Sequence, residues 1–400
     1  MAHDINMETA DGMEWPALLE CASPGADPRH LTAMMRAVNW DALVNLADEH
    51  HVLALLSAGL SRCEAEISAG GNAGADKERA GLQDLRERYR AQLVGTLRLV
   101  AELFRLAPQW RAAGLETLLV KGPALSVRAY GDTGMRRYGD LDVLVRQRDI
   151  RRATELMIAE GYAPDIPIEA IVARKIPGQH LFRHQERAVV VELHTERTMR
   201  YFPKPLPIDE FFSRSAMVAI DGQNFAALCP EDELVLICIH GAKHFWERLS
   251  LVADVAALVN LQTKLDWQKV KASAASVGAE RMVNIGLYSA HDWLKMRLPA
   301  EVWQRVSRDR TAGQLHARVC DWLPSAGRVQ PGLLTRAAYR ARMRGGLLPG
   351  LKYLLRLSLS PTQEDWSDQG TGKKFGWIAA LGRPFRLAKK YTGKKTQISK

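Results

Sequence analysis

The chain is 400 residues long, 47% hydrophobic and 25% charged, the composition of a globular protein of two or three domains and not of a disordered or fibrous chain. It contains no run of about 18 apolar residues, the length a membrane-spanning helix needs. Its net charge of +10 is concentrated at one end: residues 331–400 carry fifteen Lys or Arg against three acids, a difference of +12 that leaves about −2 for the remainder.

In chain order, residues 1–30 read as irregular, with Pro16, Pro24 and Pro28 interrupting any periodicity. Residues 31–62 have the 3.6-residue apolar spacing of a helix, with Leu43, Leu46 and Ala47 on one face. After a glycine-rich stretch at 68–75, residues 76–114 predict one long amphipathic helix with a possible break at Pro108. A short β-prone run follows at 117–120, then Lys121-Gly122, a short helix at 124–130, a glycine-containing loop at 131–134 and a strand at 142–145. A helix is expected over 149–160, and strands at 180–183 and 188–194 form a hairpin pair. A Pro-rich connector at 202–209 leads to helices that begin at Pro230 and continue to about residue 323. The five cysteines are scattered, with no C-x-x-C, which argues against a disulfide framework or a zinc site and for a reducing cytoplasm. The acidic N-terminal stretch lacks the apolar core of a signal peptide.

The chemistry concentrates in residues 121–142. Asp140 and Asp142 are two apart at the start of a strand, so their side chains share a face, roughly 6.5 Å apart at Cα. Carboxylates so placed can serve a pair of divalent cations about 3.5–4 Å apart, as in phosphoryl-transfer sites, and hard oxygen ligands suit Mg²⁺. Without a cation the two aspartates are expected to repel each other, so that Asp142→Asn leaves stability unchanged or slightly raised. Lys121 and Gly122 offer a cation and a backbone that phosphate can approach closely. Arg136 either grips phosphate or pairs with Asp140. Glu192 is a third acid, on a β-branched strand where an unpaired charge would be costly. His194 shares its face, either against nucleotide or packed as a structural histidine. His240 and His244 have the i,i+4 spacing of a zinc-binding pair, but Gly241 stands where a zinc protease needs Glu. A buried hydrogen bond from His240 to Asp254 is an alternative.

These motifs, LLVKGPAL, MRRYGDLDVLV, VVVELH, LCPEDELVLICIHGAKH and DVAALV in that order, resemble a bacterial, mostly uncharacterised nucleotidyltransferase family of the DNA polymerase beta-like superfamily. The resemblance runs from about residue 40 to 259. It implies that Asp140, Asp142 and Glu192 are catalytic and ligate Mg²⁺ or Mn²⁺, with Glu192 as general base or further ligand. It also implies that Lys121, Gly122, Arg136 and His194 contact an NTP. Better-studied members carry Gly-Ser after the first strand; here Lys121-Gly122-Pro123 replaces it, and Ser126 could act only if the segment folds back.

The fold expected is α+β: a small mixed sheet of the polymerase beta nucleotidyltransferase type, flanked by N-terminal and C-terminal helical lobes. The expected divisions are a helical lobe at 1–115, a catalytic core at 116–200, a second helical lobe at 201–330 and a basic region at 331–400. The activity expected is Mg²⁺-dependent transfer of a nucleoside monophosphate from an NTP, in the cytoplasm, to an acceptor that is a small molecule, peptide, glycan or RNA. The alternatives are a degenerate nucleotide-binding or regulatory module, and a protein that binds an anionic partner such as nucleic acid through its basic tail.

Overall fold

The computed structural model describes residues 12–62, 75–172, 178–195, 206–328 and 331–352 except 347, together with residue 355. The basic segment from residue 373 lies outside them.

Four helices open the described chain: α1 (Glu14–Ala22), α2 (Pro28–Met35), α3 (Trp40–Glu49) and α4 (Leu53–Ser61). The first, and the opening turn of the second, fall in the stretch expected to be irregular. Pro16 and Pro28 lie in the first turns of α1 and α2, where a missing N–H breaks no intrahelical bond, and the Asp27 side chain caps α2 by accepting from Arg29 N. The single run expected over 31–62 is divided. Asn39 caps α3 through Ala42 N, and His51, at φ 60°, turns the chain between α3 and α4. The long helix α5 (Ala75–Ala112) continues without a break through Pro108.

The middle of the chain holds β1 (Thr117–Leu119), α6 (Gly122–Tyr130), β2 (Leu141–Val145), α7 (Ile150–Ala159), β3 (Ala163–Pro164), α8 (Ile168–Val172), β4 (Gln179–His184) and β5 (Val189–His194). After α9 (Ile208–Ser213) come β6 (Ala216–Ile220) and β7 (Gln223–Ala227). The remaining helices are α10 (Pro230–Lys243), α11 (Leu249–Leu261), α12 (Trp267–Ser276), α13 (Glu280–Leu294), α14 (Ala300–Arg308), α15 (Arg310–Trp322) and α16 (Leu333–Arg342). The fold is α+β, with helices flanking one mixed sheet of seven strands in the order β3-β4-β5-β2-β1-β7-β6. β2 is parallel to β5 and antiparallel to β1. The β6–β7 hairpin, absent from the sequence reading, pairs through β7 with β1 and carries the sheet past residue 200.

Strand alternation separates the two faces of this sheet. Leu141, Val143, Val145, Val191 and Leu193 face a core completed by Leu99, Leu103, Leu106 and Trp110 of α5 and Met157 of α7. Leu118, Val120 and Leu144 face a larger core, shared by α1–α4 and α10–α15. The N-terminal and C-terminal helices therefore pack into one body against one face of the sheet. On that same face, by the same alternation, stand Asp142, Glu192 and His194. Among the described residues no helix is long and apolar enough to cross a membrane.

Candidate active site

The site begins at the turn after β1. Lys121 (φ 61°) and Gly122 (φ 50°) occupy the left-handed region in succession. The glycine adopts this at no steric cost, whereas Lys121 is held there against its preference. The turn sends the chain into α6 and lays the Lys121 side chain back over β2. There Lys121 Nζ lies 2.9 Å from Asp142 Oδ2. Val120 N donates to Asp142 O at 3.0 Å, which ties the two strand ends together.

The parallel β2–β5 register sets Asp142 directly beside Glu192. His194, two residues on, brings Nε2 to 2.6 Å from Asp142 Oδ1 and 3.2 Å from Glu192 Oε2. Gln179, at the start of β4 and opposite His194 in register, donates Nε2 to Glu192 Oε2 at 2.6 Å. Asp142, Glu192 and His194 are all buried. Asp140 precedes β2 and lines the same cavity of about 290 Å³, together with Lys121, Arg136 and Gln179.

The charges of this cluster are unequal. Burial alone would raise the Asp142 carboxyl, but Lys121 and His194 overcome it and hold the group well below the usual carboxylate range. Burial opposes the charge on His194 as well, yet its hydrogen bonds to Asp142 and Glu192 lift it to about 9. Asp140, by contrast, is pushed up to about 6, first by burial and then by the neighbouring Asp142 charge. The repulsion expected between the aspartates thus falls on Asp140, while Asp142 is held by two cationic partners.

Other expected residues take definite places. Arg136 Nε donates to Asp254 Oδ2 at 2.8 Å, and Tyr130 OH donates to Asp254 Oδ1 at 3.0 Å. The Asp254 carboxylate is therefore engaged by Arg136 and Tyr130, not by His240. Ser126 is fully buried and donates to the backbone oxygens of Asp132 and Thr133, so it braces the loop before β2 and is not placed for phosphate. His240 and His244 line the cavity from α10, with ring centroids 4.6 Å apart. Burial drives His240 well below its ordinary pKa and His244 down to about 3, so both are neutral imidazoles at neutral pH. Gly241 is dictated by packing: a Cβ there would lie 2.4 Å from the Trp246 ring. Arg248, whose Nη1 lies 3.3 Å from His51 Nδ1, also lines the cavity. Gln179 and Arg248 were not singled out in the sequence, and Asp254 only as a partner for His240; the β4 position of Gln179, one strand across from His194, offered a signal.

One ligand atom each from Asp142, Glu192 and His194 lie within 4.8 Å of one another. Two carboxylates and an imidazole are a donor set that hard divalent cations accept, and at present the lysine and the protonated histidine supply the positive charge there. The residues fit a divalent cation, with Asp140 lining the same cavity.

Residues 36–295, well over half the chain, match the family described as uncharacterised nucleotidyltransferase, and the chain belongs to that family. No curated protein matches. Among solved structures the chain is similar to an antigenic nucleotidyltransferase-like protein from Paracoccidioides brasiliensis, at 12% identity and a TM-score of 0.30, over 53% of this chain and 94% of that one.

Proposed function

We propose that this chain is a nucleotidyltransferase of the polymerase beta-like superfamily that moves a nucleoside monophosphate from an NTP to an acceptor. The observation that carries the reading is the β2–β5 register, which stands Asp142 beside Glu192 within a cavity lined by Lys121 and Arg136. Asp140, Asp142 and Glu192, with His194 once deprotonated, would hold Mg²⁺ or Mn²⁺. When bound, such a cation lowers the pKa of an attacking hydroxyl and neutralises the leaving group.

The chain's own residues orient the rest. Lys121, released from Asp142, offers its ammonium to phosphate oxygens, and the Gly122 turn opens α6, whose N-terminus favours an anion. Arg136 is fixed by Asp254 and contributes positive potential to the cavity wall. Glu192, oriented by Gln179, accepts the proton of the acceptor hydroxyl. The acceptor oxygen forms its bond to the α-phosphorus, the bond from that phosphorus to the bridging oxygen breaks, and pyrophosphate leaves with the electron pair. Positioning supplies much of the acceleration in chemistry of this kind. The acceptor classes remain a small molecule, peptide, glycan or RNA, and the setting we propose is the cytoplasm. The basic tail, outside the described residues, is the proposed contact for an anionic partner.

A second reading is favoured by one observation: Asp142 is already neutralised by Lys121 and His194, as it would be in a nucleotide-binding module that has lost catalysis. Labelled NTPs separate the two. With Mn²⁺ and a cell extract as acceptor source, the catalytic reading predicts transfer of the α-phosphate label and release of pyrophosphate, both lost in Asp142→Asn. Binding without transfer supports the module, and transfer of the γ-label instead refutes nucleotidyl transfer.

A further inference from the structure

A second cluster of metal-binding side chains lies on α13 and α15, helices that contribute nothing to the lining of the candidate active site. His316 and Cys320 are four apart on α15 and so share a face. Asp292 approaches from α13. His316 Nε2 lies 2.9 Å from Asp292 Oδ2, and Cys320 Sγ lies 3.5 Å from the same nitrogen. All three donor atoms fall within 4.8 Å of one another. We propose that Asp292, His316 and Cys320 form a binding site for a thiophilic divalent cation, Zn²⁺ in the first instance, that bridges α13 and α15.

The distances can be compared with what a tetrahedral ion requires. With Zn–S near 2.3 Å and Zn–N near 2.05 Å, tetrahedral ligands place sulfur and nitrogen about 3.6 Å apart and oxygen and nitrogen about 3.4 Å apart. The observed sulfur–nitrogen separation of 3.5 Å already matches. The oxygen–nitrogen separation of 2.9 Å must open by about half an ångström, on the geometry just given. Asp292 is the partner able to move, because its side chain is half exposed (52%) while that of His316 is not (6%).

The surroundings fit as well. Ser289 Oγ, wholly buried, lies 3.0 Å from His316 Nδ1. With an ion on Nε2, Nδ1 carries the proton and donates to that hydroxyl, the arrangement that fixes a ligating imidazole. Tyr288 packs on the imidazole with ring centroids 4.8 Å apart and Trp303 packs on Tyr288, walling the site on one side. Three protein ligands leave the fourth position to water on the exposed side. The mixed donor set, with one thiolate, selects zinc-like ions over Mg²⁺.

The thiolate also provides a readout that the oxygen-rich active-site cluster cannot produce. Untagged full-length protein is titrated with Co²⁺ and followed by thiolate-to-metal charge-transfer absorption, then back-titrated with Zn²⁺. The expected result is saturation at one equivalent, displacement by Zn²⁺ and loss of the absorption in Cys320→Ser. Asp292→Asn, a change at an exposed side chain, lowers the affinity about tenfold or more, and Asp142→Asn leaves the absorption intact. Absence of the absorption in the wild-type protein, or its survival in Cys320→Ser, overturns the site. An unchanged affinity in Asp292→Asn overturns the three-ligand assignment.

Discussion

Replacing Asp142 and Asp140 by asparagine should move the stability of the metal-free protein in opposite directions. Asp142→Asn keeps the shape of the side chain but leaves Lys121 and His194 facing a neutral amide where a carboxylate stood at 2.9 and 2.6 Å. Removing one partner of a buried ion pair costs about 3–5 kcal/mol. His194 recovers part of that by releasing the proton its hydrogen bonds to Asp142 and Glu192 had retained, so about 2–3 kcal/mol is expected. At roughly 2.1 cal/mol/K of unfolding entropy per residue, this chain has about 0.8 kcal/mol/K, and the melting temperature falls by about 3 °C. Asp140 behaves oppositely. Its carboxyl is raised from 3.8 to about 6, so its ionisation opposes folding. That cost is absent well below pH 3.8, where the group is protonated in both states, grows as pH rises from 3.8 to about 6, and is fully present above that. A shift of about two units corresponds to about 3 kcal/mol at most, and Asp140→Asn should gain part of this at pH 8 and little at pH 4. Calorimetry or urea titration in EDTA at the two pH values measures both effects. A wild-type melting temperature in Asp142→Asn at pH 8 would refute the charge assignment, and so would equal losses in the two variants.

Two further outcomes follow from buried groups elsewhere. His50, with no exposed surface and its Nδ1 accepting from Leu249 N at 3.0 Å, is lowered from 6.5 to about 4, first by burial and then, against the carbonyl of Pro324, by Arg328 and Arg248. Its contribution is fully present above pH 6.5 and is lost as pH falls toward 4, by about 3 kcal/mol; urea titrations of wild type and His50→Asn should converge over that range. Gly241→Ala forces a methyl group into the Trp246 ring, so a loss of about 1–3 kcal/mol is expected in a denaturation series, with Gly313→Ala, whose nearest neighbour is 3.8 Å away, as the milder control.

What the sequence disclosed follows the range over which each pattern acts. The period of two along a strand is local, so the shared face of Glu192 with His194 could be read directly, whereas Asp140 precedes β2 and is joined to Asp142 by the cavity that both line. The parallel register that sets Asp142 beside Glu192 is not local, since fifty residues separate them and only the sheet joins them. Asp254 meets Arg136 across 118 positions with no motif to link them. The β6–β7 hairpin carries a local signal. Asp221-Gly222 between two β-prone runs is a strong hairpin signal, and both residues do take positive φ, 44° and 82°. The early helices were hidden because their prolines, read as breakers, open helical turns. The scattered cysteines concealed the Asp292–His316–Cys320 cluster, because only His316 and Cys320 share a local spacing.

The central claim is that the acidic cluster and Lys121 together receive a cation-bound nucleotide. Calorimetric titration of the four NTPs into the protein, with Mn²⁺ and again with EDTA, tests it most directly. The account predicts binding of at least one NTP that requires the cation, is abolished in Glu192→Gln and in Asp142→Asn at temperatures where both remain folded, and is weakened but still cation-dependent in Lys121→Ala. NTP binding of equal strength in EDTA, or binding unchanged by Glu192→Gln and Asp142→Asn, would contradict it.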